Sequence, residues 1–353
     1  IDLGEVILTG YLENNNLIKT KNSIPDKSPF DGTIEYNGTS PQILIDDASY
    51  DHLIINNPSG VTLPADAQIT TALLTINSGA FLEMGTTRAM NTIQIENNAG
   101  VNGILIRSAA NQANGSLTFH NTPDYPVSAT VEMYSRAYKL EEPDASGNYY
   151  KWQYFGIPMQ GLATASPTFD GSFVRKYNPE GSVNIGTEVS PVYRAHWIPL
   201  TNDSSLRPFT GYEITHNTAR TITYRGILEN GDYLRDANDP LIYYPDAAFP
   251  GQYILSNPYT AAIDITQLSF GPGTEATVYL FNTGSYGDWA STEPVGGGEG
   301  EILGENPGQY MAIPKEVASA TTPTGLLRQI PSRQGFLERK PAITPGTREV
   351  SPL

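Results

Sequence analysis

Apolar strand segments recur about every twenty residues in the first third of the chain, and this spacing restricts the fold more than any other feature. Leu53, Leu74 and Ile93 each open such a segment, 21 and 19 residues apart. Each continues in alternation, to Ile55, Ile76 and Ile95, and then breaks in "NNPSG", "NSG" or "NNAG". Period-two alternation marks a strand with one buried face, and Asn/Gly clusters mark tight turns. A period near 20 fits one coil of a β-solenoid, in which successive coils stack and bury a continuous apolar column. Three or four coils fit, asparagines at successive corners can hydrogen-bond as a ladder, and the open ends need covering by neighbouring chain. An ordinary antiparallel sandwich is the alternative for the same strands.

Composition then divides the chain. Residues 1–121 hold 15 Asn and no Trp, whereas residues from 131 onward hold 17 of the 21 Tyr and all three Trp. The stretch "NTPDYPVSAT" (Asn121 to Thr130) is the natural boundary. The expectation is an all-β protein: a short β-solenoid, or β-helix-like, domain over 1–125, an aromatic-rich antiparallel β-sandwich over 126–340, and a linker-like tail over 341–353. In the second half "GYEITHN", "RTITYRGIL", "ATVYLFN" and two Pro-Gly-Gln-Tyr phrases, at Pro250 and Pro307, supply short strands between regular turns. Gly251 and Gly308 read as turn residues, Tyr253 and Tyr310 as rings on one face, and Pro258 and Pro314 as strand ends. "GGGEGE" (Gly296 to Glu301) reads as an exposed loop.

Charge and cysteine narrow the function. A net charge of -16 argues against nucleic acid, which needs clustered Lys and Arg. The chain has no cysteine, so disulfides, thiolate metal sites and a cysteine nucleophile are excluded together. No apolar run is long enough for a transmembrane helix. The first residue is Ile1 rather than Met, which reads as a processed or trimmed product.

Chemistry-bearing patterns are sparse. The histidines His52, His120, His196 and His216 form no zinc-binding spacing, and no Gly-x-Ser-x-Gly elbow occurs. Carboxylate pairs such as Asp46/Asp47, Glu141/Glu142 and Asp236/Asp239 serve either as solvated turn acids or as a hydrolase pair, and linear spacing does not choose between them. Asp232, Asp236, Asn238 and Asp239 in "DYLRDANDP" offer hard oxygen ligands for calcium without EF-hand spacing. No other cofactor is expected. Trp152, Tyr154 and Trp197, with Tyr149, Tyr150 and Tyr193 nearby, suit either a sandwich core or a platform for sugar rings.

Several phrases, in order, resemble a known family. "GTIEYNGTSPQ" followed by "YDHLIINNPSGVTLPADAQITTALLTINSGAFLEMG", and then "GQYILSNPYTAAIDI", "ATVYLFNTGS", "GQYMAIPK" and "IPSRQGFL", are similar to stretches of large secreted β-rich surface proteins of Bacteroidota. Many of those are type IX secretion cargo. The resemblance covers about Gly32 to Leu337 and implies an extracellular, multi-domain, adhesin-like or structural cell-surface protein. It carries no catalytic motif to transfer. The expected function is therefore a non-enzymatic structural or adhesive part of a larger secreted chain. Its partners would be other domains of that protein, a secretion or surface-anchoring apparatus, or glycans. A carbohydrate-active β-helix protein and a filament subunit are the alternatives.

Overall fold

The structure, a computed structural model, describes residues 11–14, 30–45, 49–143, 149–161, 167–184, 187, 189–190, 193–200, 205–232, 241–247, 249–281, 310–319 and 328–342. The first region runs β1 (Tyr11–Asn14), β2 (Phe30–Tyr36), β3 (Gln42–Ile43), β4 (Ser49–Ile55), β5 (Val61–Thr62) and β6 (Gln68–Ile76). It continues through β7 (Leu82–Met84), β8 (Ala89–Asn97), β9 (Ile104–Ile106), β10 (Ser116–Thr118) and β11 (Ser128–Ser135). Strands β1, β2, β4, β6, β8 and β10 form one sheet with parallel neighbours, and β3, β5, β7, β9 and β11 form a second in the same way. This is a β-solenoid of about five turns, longer than the three or four coils the sequence pattern predicts, because β1 and β2 stack before the first legible repeat.

Burial follows the register. Ile34, Leu53, Leu74 and Ile95 stack in one column, each at most 3% exposed, and Met84, Ile106 and Val131 stack in the facing sheet. Each such side chain contributes about 1.5–3 kcal/mol of burial. The third repeat starts two residues later than expected. Thr71 pairs with Thr92 and Leu73 with Gln94, so Ile95, and not Ile93, lies over Leu74. Ile93 is 63% exposed. The cause is a stacked corner at which Thr71 Oγ1 donates to the Leu73 carbonyl and Thr92 Oγ1 to the Gln94 carbonyl, both at 2.9 Å.

The turns repeat as well. Gly60, Gly79 and Gly100 have φ of 89°, 83° and 63° at one edge, while Asp66, Thr87 and Asn111 have 55°, 64° and 57° at another. The side-chain bonds of Asn57 and Asn97 depart from the expected asparagine ladder. Asn57 Nδ2 donates to the Ser40 carbonyl and to Gln42 Oε1, and Asn97 Nδ2 to the Gly100 and Ser128 carbonyls. Thr87 is the strained member of its set, since a β-branched residue is disfavoured at positive φ. Thr87→Gly is expected to raise unfolding stability by about 1 kcal/mol, measured in urea.

The second region comprises β12 (Tyr138–Lys139), β13 (Tyr150–Lys151), β14 (Gln153–Phe155), β15 (Ser172–Asn184), β16 (Tyr193–Pro199), β17 (Tyr212–His216) and β18 (Arg220–Ile227). Then follow β19 (Gln252–Ser256), β20 (Ile263–Asp264), β21 (Thr277–Phe281), β22 (Tyr310–Pro314), β23 (Gln329–Ile330) and β24 (Gly335–Arg339). Strand β18 closes the second solenoid sheet by pairing antiparallel with β11 along its whole length. The first sheet is closed by side chains. Asn121 Oδ1 accepts from the Ile95 amide and its Nδ2 donates to the Ile95 carbonyl, both at 2.8 Å, which imitates a further strand. Thr260 Oγ1 donates to the Leu117 carbonyl at 2.6 Å on β10.

Two four-stranded antiparallel sheets, β14-β17-β15-β16 and β19-β24-β21-β22, pack face to face as the sandwich. The far face of the first of these sheets, carrying Phe155, Val174, Tyr212 and Ile214, belongs to the same apolar core as the solenoid columns and Tyr224. The two Gly-Gln-Tyr phrases are less alike than they read. Strands β19 and β22 are opposite edges of one sheet. Ile254, Leu337, Tyr279 and Ala312 pair across that sheet, so Tyr310 shares their face and Tyr253 takes the other. Tyr253 Oη instead donates to the Ile242 carbonyl at 2.9 Å. The expectation of both rings on one face is thereby corrected. Gly308 and "GGGEGE" lie outside the described residues, as do residues 343–353 of the tail. Among the described residues no helix is long and apolar enough to cross a membrane.

Candidate functional site

An aromatic cleft of about 400 Å³ opens between the two sandwich sheets. Alternation along the strands builds it. Tyr177 on β15 lies opposite Trp197 on β16, and Tyr154 on β14 lies opposite Glu213 on β17, which in turn lies opposite Arg175. These five side chains therefore share the face turned toward Ile254, Tyr279, Tyr310 and Leu337. Tyr154 lies 5.7 Å from Trp197, 5.3 Å from Phe281 and 6.2 Å from Tyr310, ring centre to ring centre. The interplanar angles of 39°, 33° and 47° leave no single flat platform. The Tyr154 and Tyr310 hydroxyls hydrogen-bond each other at 2.7 Å. Burial, with Tyr310 alongside, pushes the Tyr154 phenol well above its ordinary value, and burial pushes Tyr177 up to about 12. Both are neutral donors at physiological pH.

Of the three aromatic residues singled out from the sequence, Tyr154 and Trp197 line this cleft and Trp152 does not. Trp152 stacks instead on the Arg175 guanidinium, 3.8 Å from ring centre to Cζ, and Arg175 lies 5.8 Å from the Trp197 ring. Arg175 also forms an ion pair with Glu213, which is 4% exposed. Burial raises the Glu213 carboxyl to about 8, and Arg175 acts against that rise. No sequence pattern signals this pair, because its members are 38 positions apart and meet only through strand register.

His216 ends β17, buried, with Nδ1 2.8 Å from Ser172 Oγ. Burial, reinforced by the Arg220 charge, lowers it to about 4. A base whose folded value is depressed binds fewer protons folded than unfolded, so its contribution is full above pH 6.5 and is lost as pH falls toward 4. Glu213 has the opposite sign, full below pH 4.5 and lost as pH rises through 8. His216→Phe is expected to gain on the parent protein as pH falls from 6.5 to 4, by up to about 3 kcal/mol, in urea titrations at each pH.

The remaining candidates are dispersed. His52 bridges neighbouring coils, with Nε2 2.9 Å from Thr75 Oγ1. His120 follows β10, and the His196 side chain lies outside the described residues. Asp232 is exposed, while Asp236, Asn238 and Asp239 lie outside the described residues, as do Asp46 and Asp47. Among the described residues no three His, Asp or Glu side chains gather as metal ligands.

The phrases that carried the family resemblance do meet. Asn257 of "SNPYT" is fully buried, and its Nδ2 donates to the Ala261, Ile330 and Pro331 carbonyls at 2.9, 3.0 and 3.1 Å. That ties it to "IPSRQGF", whose Arg333 sequence reasoning missed. No family model matches the chain, and no solved structure matches it significantly. Among curated proteins, the chain is similar to the minor fimbrium subunit Mfa5 of Porphyromonas gingivalis, 31% identical over 258 residues. The match covers 70% of this chain and 19% of that protein. The chain thus resembles one segment, about a fifth, of a Bacteroidota surface protein.

Proposed function

We propose that this chain is a rigid, non-enzymatic scaffold segment of a surface fibre, positioned outside the cell and assembled with other fibre subunits. The observation that carries the reading is the similarity to a fimbrium subunit over 70% of the chain. The architecture supports it physically. A stack of parallel coils, closed by β18 and by Asn121, resists bending because every backbone ladder continues into the next coil. Surplus negative charge on the exterior keeps such a segment soluble and limits indiscriminate adhesion. The role needs no cofactor. Export by the type IX route and an adhesive role are finer proposals of the same reading.

Fibres sheared from cells that make the protein are expected to carry it, seen by immunogold labelling with antibody to residues 49–97. Finding it only in the soluble fraction of those cells, with bare fibres, would end the proposal. A second reading, carbohydrate binding, is favoured by the cleft alone, where Gln252 and Arg339 supply polar groups beside aromatic walls. Glycan-array binding that disappears in Trp197→Ala and persists in Trp152→Ala would support that reading. An array with no binding would remove it.

A further inference from the structure

Among the described residues, Arg333 is a buried charge whose side chain has no partner. It is 1% exposed, and Nε, Nη1 and Nη2 all lack a hydrogen-bond partner. Its backbone is held in the left-handed region, at φ 63°, by two bonds. Its amide donates to the Asn257 carbonyl at 3.1 Å, and its carbonyl accepts from the Gly156 amide at 2.9 Å. The side chain is thereby committed to the junction of the solenoid cap and both sandwich sheets. A non-glycine residue pinned there against backbone strain shows that the surrounding structure dictates its placement.

Among the described residues no side chain pairs with the charge. The acid that acts on it, Glu132, already accepts from Arg107 Nη1 at 2.7 Å and from the Ser108 amide at 3.3 Å. The Tyr224 hydroxyl donates to Met133 Sδ at 3.6 Å, and burial keeps that phenol neutral. A guanidinium stays protonated even here, since burial lowers Arg333 only to about 10. A buried cation with neither counter-charge nor acceptors is strongly destabilising. Water supplies acceptors without charge, whereas a small anion supplies both.

We propose that Arg333 seats a monovalent inorganic anion of halide size inside the protein, where it pins the solenoid cap to the sandwich. The ion is structural. It is bound by the folded state and released on unfolding, so stability rises with its concentration.

Thermal unfolding is the test, at constant ionic strength, exchanging sodium gluconate for sodium chloride or bromide. The midpoint of the parent protein is expected to rise by roughly 2 °C for each tenfold increase in halide above the dissociation constant. Arg333→Met is expected to show no such dependence. If that variant does not fold, crystals of the parent protein in bromide decide, with an anomalous peak within hydrogen-bond distance of the guanidinium. A halide-independent midpoint, or density at Arg333 showing ordered water alone in bromide, would overturn the proposal.

Discussion

Alanine at position 251 is expected to cost roughly 3–5 kcal/mol of unfolding stability. Two costs add. Gly251 has φ 73°, where an L side chain is strained, and a Cβ built there would lie 1.9 Å from the Lys340 carbonyl oxygen. Neither neighbour can yield easily. Lys340 N donates to the Gly251 carbonyl at 2.8 Å, next to the Gln252–Arg339 pair that begins the β19/β24 ladder. Gly79 separates the two costs, because it has φ 83° and open space around the same position. Gly79→Ala is expected to lose only the strain, about 1 kcal/mol. Urea unfolding of both variants checks this. Equal losses would mean that the β19/β24 junction is looser than described.

Arg175→Met is the second large effect, a loss that grows as pH rises above 8 and reaches about 3 kcal/mol near pH 10. The cause is the abandoned partner rather than the missing contact. Glu213 is 4% exposed, and without the guanidinium its carboxylate is buried with no counter-charge. Arg175 holds the Glu213 value down, so removing it drives that value above about 8, and the deficit should shrink as pH falls through 8 and the carboxyl is protonated in both proteins. The double variant Arg175→Met, Glu213→Gln should recover most of the loss. A loss that is independent of pH and unrelieved in the double variant would assign the effect to packing between Trp152 and Trp197.

Legibility in the sequence followed contact range. The solenoid is readable because each residue stacks on one about 21 positions away, so its burial pattern repeats within a short window. Ile93 was misplaced because corner residues 93 and 94 both face outward, and a two-residue outward step imitates a shift of the repeat. The cap was invisible, since Val131 meets Tyr224 across 93 positions of intervening chain. Composition identified the aromatic sandwich, yet it could not separate Trp152 from Trp197. Only strand register and Arg175 decide which ring enters the cleft. Arg333 carried no signal at all, because a single arginine in a loop phrase gives no hint of burial.

The central claim is that the solenoid, its cap and the first sandwich sheet share one continuous core and act as one stiff body. Hydrogen exchange on the intact protein, read by mass spectrometry, tests it most directly. Peptides carrying Leu53, Leu74, Ile95, Val131 and Tyr224 should all exchange slowly and open together, with one free energy equal to that of global unfolding. Exchange within seconds across residues 49–97, or opening of that stretch apart from Tyr224, would contradict it.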